Sequence, residues 1–583
     1  MTWDLSDLYK GFDDPAFSRD MQALERDTAQ AREMLDQAGG RPAGEVLAEL
    51  IRRMQDLQCL SARLGNMVAL TLAADANDEG ALGQYDRLCQ REVEMSQLWS
   101  QAARYTAGID NLAALCRIDP LLAQHEYLLR CWQREAAHTI DPALEGVVLQ
   151  MRVTGGEAWS KLRDDLDAGH TVRCVLGEKE QVLTLSQARN LAYSPDPQVR
   201  QAAYQAELAA YPAIEQPMAA CLNGIKGEAI TLLPLRHYES ALDQSIHQAR
   251  ITRPILDALT GAMEEALPVF RRYLRLKAKA LGHQGALPFW DLFAPLGQAP
   301  QTYTLDQARQ LLVRVLGGFS PAMGEMIQRA FDQRWIDAYP RPGKQGGAFC
   351  SGVYPLGHSF VLANFDGSLN AVSTLAHELG HAYHDQQLFQ NSPLLDEAPM
   401  PLAETASIFN ETLLCHRLLE EAPPEQRAML LDQELSDATQ TVVDILSRFY
   451  FEQEVFARRR DHILSSSELC QIMLQAQQRT YGDGLSCYHP YMWACKCHYY
   501  SPDLHYYNFP YAFGLLFGKG IYARYLKEGS AFQETYDQLL RQTALDDAAE
   551  VAAIVGIDLA DPAFWHSSLA LLEQSVDQLA ACL

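Results

Sequence analysis

Positive charge is scarce in this sequence. Against 74 aspartates and glutamates stand 48 lysines and arginines, a formal net charge of −26 over 583 residues, and no basic run stands out. That balance makes nucleic acid and anionic membrane surfaces poor partners. Long apolar runs are also missing, since no window reaches the roughly 18–20 apolar residues that a membrane span requires. The opening stretch, residues 1–10, carries Asp4 and Asp7 and lacks the apolar segment of a secretion signal. The thirteen cysteines, from Cys59 to Cys582, are odd in number and mostly scattered, which argues against a disulfide framework. These absences together lead us to expect a cytoplasmic protein with reduced thiols, bound to neither nucleic acid nor membrane.

What is present describes a folded chain. Apolar residues make up 48% and charged residues 21%, with 36 glycines and 27 prolines, so collagen-like and disordered compositions are excluded. The length exceeds what one hydrophobic core organises, and two lobes are expected.

Helical periodicity dominates. Phe17, Met21, Leu24, Thr28, Ala31 and Leu35 recur at three-and-four spacing, and Gly39-Gly40-Arg41-Pro42 then stops the helix. Val46, Leu47, Leu50, Ile51, Met54, Leu57 and Leu64 repeat the pattern, and it continues through 82–107 and 109–134. Two interruptions are expected to be β-hairpins: residues 171–184, and residues 346–365 with Pro355-Leu356-Gly357 as the turn. The breaker cluster Ser194-Pro195-Asp196-Pro197 suggests a lobe boundary, giving an N-terminal helical lobe over 1–197 and a catalytic lobe over 198–583.

The chemistry follows the second hairpin. Residues 371–390 read as a helix with one internal glycine, and within it lies His377-Glu378-Leu379-Gly380-His381. Residues four apart project from one helical face, so His377 and His381 can offer two imidazole nitrogens to one divalent ion. Glu378 lies about 100° around the axis, beside such an ion, where its carboxylate can take a proton from a water. A chance match to this pattern is expected roughly 0.03 times in a chain of this composition; the competing reading is a surface helix with two solvated histidines.

A third ligand is needed. Residues 401–411 offer Glu404 and Glu411, seven apart on one face of a second expected helix, and either can serve while the other hydrogen-bonds a ligand imidazole. By itself such a pair is a solvated stripe. Residues 487–513 concentrate neutral donors, with His498, Tyr499, Tyr500, His505, Tyr506, Tyr507 and Tyr511, as either a cavity wall or an aromatic core. Cys487, His489, Cys495, Cys497 and His498 also allow a structural zinc site, though their spacing follows no familiar zinc-ribbon pattern. His384, Tyr383 and His416 read as packing groups outside the metal site.

In combination these motifs resemble the oligoendopeptidase F family, relatives of thimet oligopeptidase among the zinc metallopeptidases. The likeness is carried by residues 3–9, 183–190, 374–384, 403–411 and 507–514, and by Gly556-Ile557-Asp558-Leu559 and Asp561-Pro562-Ala563-Phe564-Trp565. It implies a mainly α fold of two helical lobes around a deep channel, with a small β-hairpin or sheet beside the zinc helix. It implies one zinc ion held by His377, His381 and Glu404, with Glu378 as general base and Glu411 bonding a ligand imidazole. His498, Tyr500 and Tyr507 are implied as donors to substrate or transition state, with Tyr506 and Tyr511 as alternative registers. The activity implied is internal cleavage of short unstructured peptides. The strand expected over 358–365 offers a free edge on which an extended peptide can pair. Rivals are an exopeptidase with a similar zinc helix and a non-catalytic scaffold that keeps zinc for stability.

Overall fold

A computed structural model describes residues 1–177, 179–297 and 302–583. The chain forms two compact units, each assembled from three stretches: Met1–His138, Gln301–Arg417 and Arg524–Gly556 in the first, and Thr139–Pro300, Leu418–Ala523 and Ile557–Leu583 in the second.

The first unit opens with three long helices, Pro15–Asp36, Ala43–Ala74 and Glu79–Ala107, packed on one another. The expected stripe is the buried one: Phe17, Met21, Leu24, Thr28, Ala31 and Leu35 all face inward. Asp14 caps the first helix by accepting from the Ala16 amide, and Gly40 takes the left-handed backbone that reverses the chain. Beyond Ile109 the expected helix is divided into Leu112–Ile118, Pro120–Gln124 and Glu126–Ala136, because Asp119 caps a new start at Pro120.

Downstream, the first unit builds a three-stranded sheet from β3 (Ile336–Asp337), β4 (Phe349–Val353) and β5 (His358–Leu362), the first hairpin supplying β1 (Thr171–Leu176) and β2 (Lys179–Thr184) to the second unit. Strands β4 and β5 pair antiparallel, with Phe349 opposite Leu362 and Val353 opposite His358, and Gly357 at φ +67° closes the turn. The order is β3-β5-β4, which corrects the expectation of a free edge at 358–365. Ile336 and Asp337 pair in parallel with Val361 and Leu362, so β5 is the middle strand and β4 the outer one. Buried Phe360, Val361 and Leu362 support the helix Leu369–Leu388, which packs on β4 and β5.

The second unit is mainly helical. The hairpin expected over 171–184 forms, with Thr171 opposite Thr184; Glu178 lies outside the described residues. The boundary expected at 197/198 falls inside this unit. Val172, Leu185 and Ala188, before it, share a core with Tyr211, Met218 and Leu222, after it. Asp196 and Pro197 start the helix Pro197–Ala210, with Asp196 accepting from the Gln198 amide. Ser194 to Pro197 is thus a junction between helices that bury against the same apolar surface.

A buried ion pair lies deep in this unit. Lys226 Nζ is 2.6 Å from Glu452 Oε1, both side chains 1% exposed, and Asn508 donates to the other Glu452 oxygen at 3.2 Å. Removing one partner strands a charge away from water. Lys226→Met should therefore lower stability by about 3–5 kcal/mol in urea unfolding, and adding Glu452→Leu should restore most of the loss.

Candidate metal centre

The helix Leu369–Leu388 begins where Ser368 accepts from the Ala371 amide, just after Gly367 turns the chain at φ +86°. Its inner face buries Val372, Leu375, Ala376 and Leu379, and its far end is tied down by two residues that the sequence separated from the metal site. Tyr383 donates to Asp537 at 2.7 Å; His384 Nε2 is 2.8 Å from Thr543 Oγ1. Burial holds the His384 imidazole down to about 4, consistent with a neutral packing group.

The second carboxylate-bearing segment is two pieces. Met400–Ala403 forms one turn, Glu404 leaves helical geometry, and Thr405–Glu421 continues as a helix. Ser407 Oγ donates to Glu404 Oε2 at 2.6 Å and so sets the carboxylate's direction. The two segments meet at Gly380, where an added Cβ would stand 2.6 Å from Ser407 Cα and 2.7 Å from the Ala406 carbonyl oxygen. Backbone contacts backbone there, and nothing larger than hydrogen fits.

That approach brings the polar groups together. Glu404 Oε2 lies 3.2 Å from His377 Nε2 and 3.5 Å from His381 Nε2, and the two Nε2 atoms are 3.2 Å apart. Four-coordinate zinc with bonds of about 2.0–2.1 Å has ligand atoms about 3.3 Å from one another, so these three fit such an ion. The three side chains are 23–31% exposed, which leaves the group reachable from outside. Glu411 is on the other side of the imidazole, with Oε2 3.3 Å from His377 Nδ1.

The electrostatics follow from that arrangement. Burial by itself would lower His377, yet the Glu404 and Glu411 carboxylates outweigh it and lift the imidazole to about 10. Burial likewise opposes ionisation of Glu404, but the two histidines hold it far below the usual carboxylate range. Glu378 differs: it is 6% exposed, and burial raises its carboxyl against the lowering pull of His377 and His381.

The remaining expected site residues belong to the second unit. His498 and Tyr507 are half-buried and stacked, with ring centroids 5.4 Å apart, and Tyr511 lies 5.2 Å from Tyr507. Burial, followed by Arg448 and Lys496, pushes His498 down to about 4 and keeps it neutral. Tyr500 is more deeply buried than His498 and Tyr507. It is 1% exposed in the core, with Arg163 over its ring at 5.4 Å and its hydroxyl without a hydrogen-bond partner. Ser407 and Gly380 were not singled out by sequence reasoning. The one available signal was a glycine inside a helix, which costs stability unless something must come close.

Two imidazoles and a carboxylate around one point, with a second carboxylate next to them in sequence, are the components of a hydrolytic metal centre. The sequence model of peptidase family M3 matches residues 190–571. Among curated proteins, group B oligopeptidase PepB of Streptococcus agalactiae is 28% identical over 69% of this chain and 67% of its own length. The chromosomal oligoendopeptidase F of Lactococcus lactis subsp. cremoris is 27% identical over 70% and 68%. Among solved structures, a candidate peptidase of Chlamydophila abortus superposes with a TM-score of 0.83 over 100% of this chain and 98% of that one, at 22% identity. Oligoendopeptidase-F of Enterococcus faecium gives 0.67 over 97% and 99%, at 20% identity. At those identities the superpositions establish the shared, mainly helical fold. The chain belongs to peptidase family M3, in its oligoendopeptidase F branch, and is a metallo-oligopeptidase that hydrolyses peptides. Among the described residues no helix is long and apolar enough to cross a membrane.

The contact at Gly380 yields a test with a diagnostic sign. Alanine in place of a helical glycine ordinarily stabilises by about 1 kcal/mol. Here Gly380→Ala should destabilise by about 1–3 kcal/mol through overpacking and reduce bound metal, read by denaturant midpoint and elemental analysis.

Proposed function

We propose that this protein is a zinc endopeptidase of short unstructured oligopeptides, with His377, His381 and Glu404 as the metal ligands. The observation that carries the reading is the convergence of Glu404 Oε2 on both Nε2 atoms, with Glu411 on the opposite nitrogen of His377. That geometry favours Glu404 as ligand and Glu411 as the group that orients His377 and raises its basicity. A zinc ion bound there supplies Lewis-acid polarisation of a carbonyl and of water.

Glu378 takes the proton from the attacking water and passes it to the leaving amine. Its buried carboxyl, raised toward the pH at which it works, suits both halves of that task. His498 and Tyr507 are assigned as neutral donors to the developing oxyanion and the substrate backbone. The support for this is the neutral state of His498 and the partial exposure of the stacked pair. Buried Tyr500 is left out of substrate contact. We place the activity in the cytoplasm, a reading supported by thirteen cysteines that are all unpaired.

Glu378→Gln should retain the metal while losing about 10²–10⁴-fold in turnover of a peptide blocked at both ends. Internal cleavage of that peptide by the unaltered protein separates an endopeptidase from either exopeptidase, and wild-type turnover by the variant would remove Glu378 as base. For the third ligand, Glu404→Ala should lose most of the bound metal and Glu411→Ala should lose less; the reverse order in elemental analysis would exchange the two roles.

A further inference from the structure

The second unit holds another convergence of ligand-type atoms. Glu207, on the helix Pro197–Ala210, meets His489 and Cys495, and all three are buried, with one ligand atom of each within 4.8 Å of the others. His489 and Cys495 were two of the five residues considered as a structural zinc set; Cys497, another of them, is exposed. The carboxylate of Glu207 is the member that spacing along the chain did not suggest.

Three features distinguish this cluster from an ordinary buried ion pair. His489 is 1% exposed, and neither ring nitrogen has a hydrogen-bond partner. Its Nε2 is 3.5 Å from Glu207 Oε2, close enough to attract but not aligned to bond. Gln477 nonetheless bonds the His489 backbone on both sides, accepting from its amide at 2.9 Å and donating to its carbonyl at 2.8 Å, and the ring packs against Tyr204 and Phe289 at 5.6 and 5.3 Å between centroids. A buried imidazole with both nitrogens unsatisfied is costly unless something occupies the space before it.

Glu207 is similarly prepared. Its Oε1 accepts from Arg189 Nε at 2.9 Å and from Tyr211 at 2.8 Å, which leaves Oε2 facing His489. Cys495 Sγ lies 3.6 Å from that same Oε1 and 2.8 Å from the Tyr211 oxygen. Arg189 also bonds Asp167 at 3.2 Å, so its charge is matched independently of Glu207. A thiolate, a carboxylate and a divalent ion then sum to zero charge. Beside the three residues lies a cavity of about 220 Å³, also lined by Tyr204, Trp290 and Lys496. It offers room for a fourth ligand such as water.

We propose that Glu207, His489 and Cys495 form a second site for a zinc-like divalent ion. The mixed nitrogen, sulfur and oxygen donor set selects a borderline-soft metal over magnesium or calcium. An ion there ties the helix Pro197–Ala210 to the segment that ends three residues before His498. The proposal is independent of the catalytic assignments.

Cobalt(II) alone, titrated into the full-length metal-free chain, tests it, because a thiolate ligand adds a near-ultraviolet sulfur-to-cobalt absorption that a site of two histidines and a glutamate does not produce. The unaltered chain should take two equivalents and show that absorption. The His377→Ala/His381→Ala chain should take one equivalent and keep it. Cys495→Ser should take one equivalent and lose it. His489→Gln, which retains the thiol, should bind the second equivalent about tenfold or more weakly, and it serves if Cys495→Ser fails to fold. One equivalent in the unaltered chain overturns the proposal and returns His489 to a buried ion pair with Glu207. A sulfur absorption that survives Cys495→Ser also overturns it, since another of the thirteen thiols would then be the ligand.

Discussion

At Gly380 the helix carrying both histidines crosses the start of the helix that follows Glu404, at a separation that excludes even a methyl group. Every distance from Glu404 or Glu411 to the two histidines depends on that crossing. Glu404 has a short side chain whose direction is set by Ser407, one of the two residues against which Gly380 lies. Moving the helices apart by the width of a methyl would carry the carboxylate away from both imidazoles together. The sheet behind the histidine helix opposes such movement, because β5 is buried and paired on both sides.

Close approach also sets the charge state of the centre. Two imidazoles and two carboxylates brought within hydrogen-bonding range compete with burial, and proximity prevails for His377 and Glu404. Glu378, one residue from His377 but directed elsewhere, is dominated by burial instead. One short stretch of helix therefore carries a ligand-type imidazole stabilised as a cation and a carboxyl stabilised as an acid.

Much of this was legible in the chain. The stripes from Phe17 to Leu35 and from Val46 to Leu64 specify one buried face each, and those faces are buried. The turn at Gly357 requires a left-handed residue flanked by strand-forming segments, and the hairpin forms there. The histidine pair depends on helical pitch alone. What the chain did not disclose was long-range: that β3, two residues long, would cover one side of β5, and that Tyr500 would join the core while Tyr507 stayed accessible. Ser194 to Pro197 mark a true helix junction, but local breakers say nothing about which core the flanking segments enter.

The sequence by itself determined most of the helices, the two hairpins and which side chains were candidates for a metal site, because spacing at 3.6 or 2 residues is a local property of the backbone. Tertiary structure alone distinguished the positions of Glu404 and Glu411. Both lie on the same helical face in sequence, and only the crossing at Gly380 turns one toward the Nε2 atoms and leaves the other behind Nδ1. Tertiary structure alone also joined Glu207 to His489 and Cys495, residues more than 280 positions apart, because which distant side chains meet is fixed by the packing of whole helices.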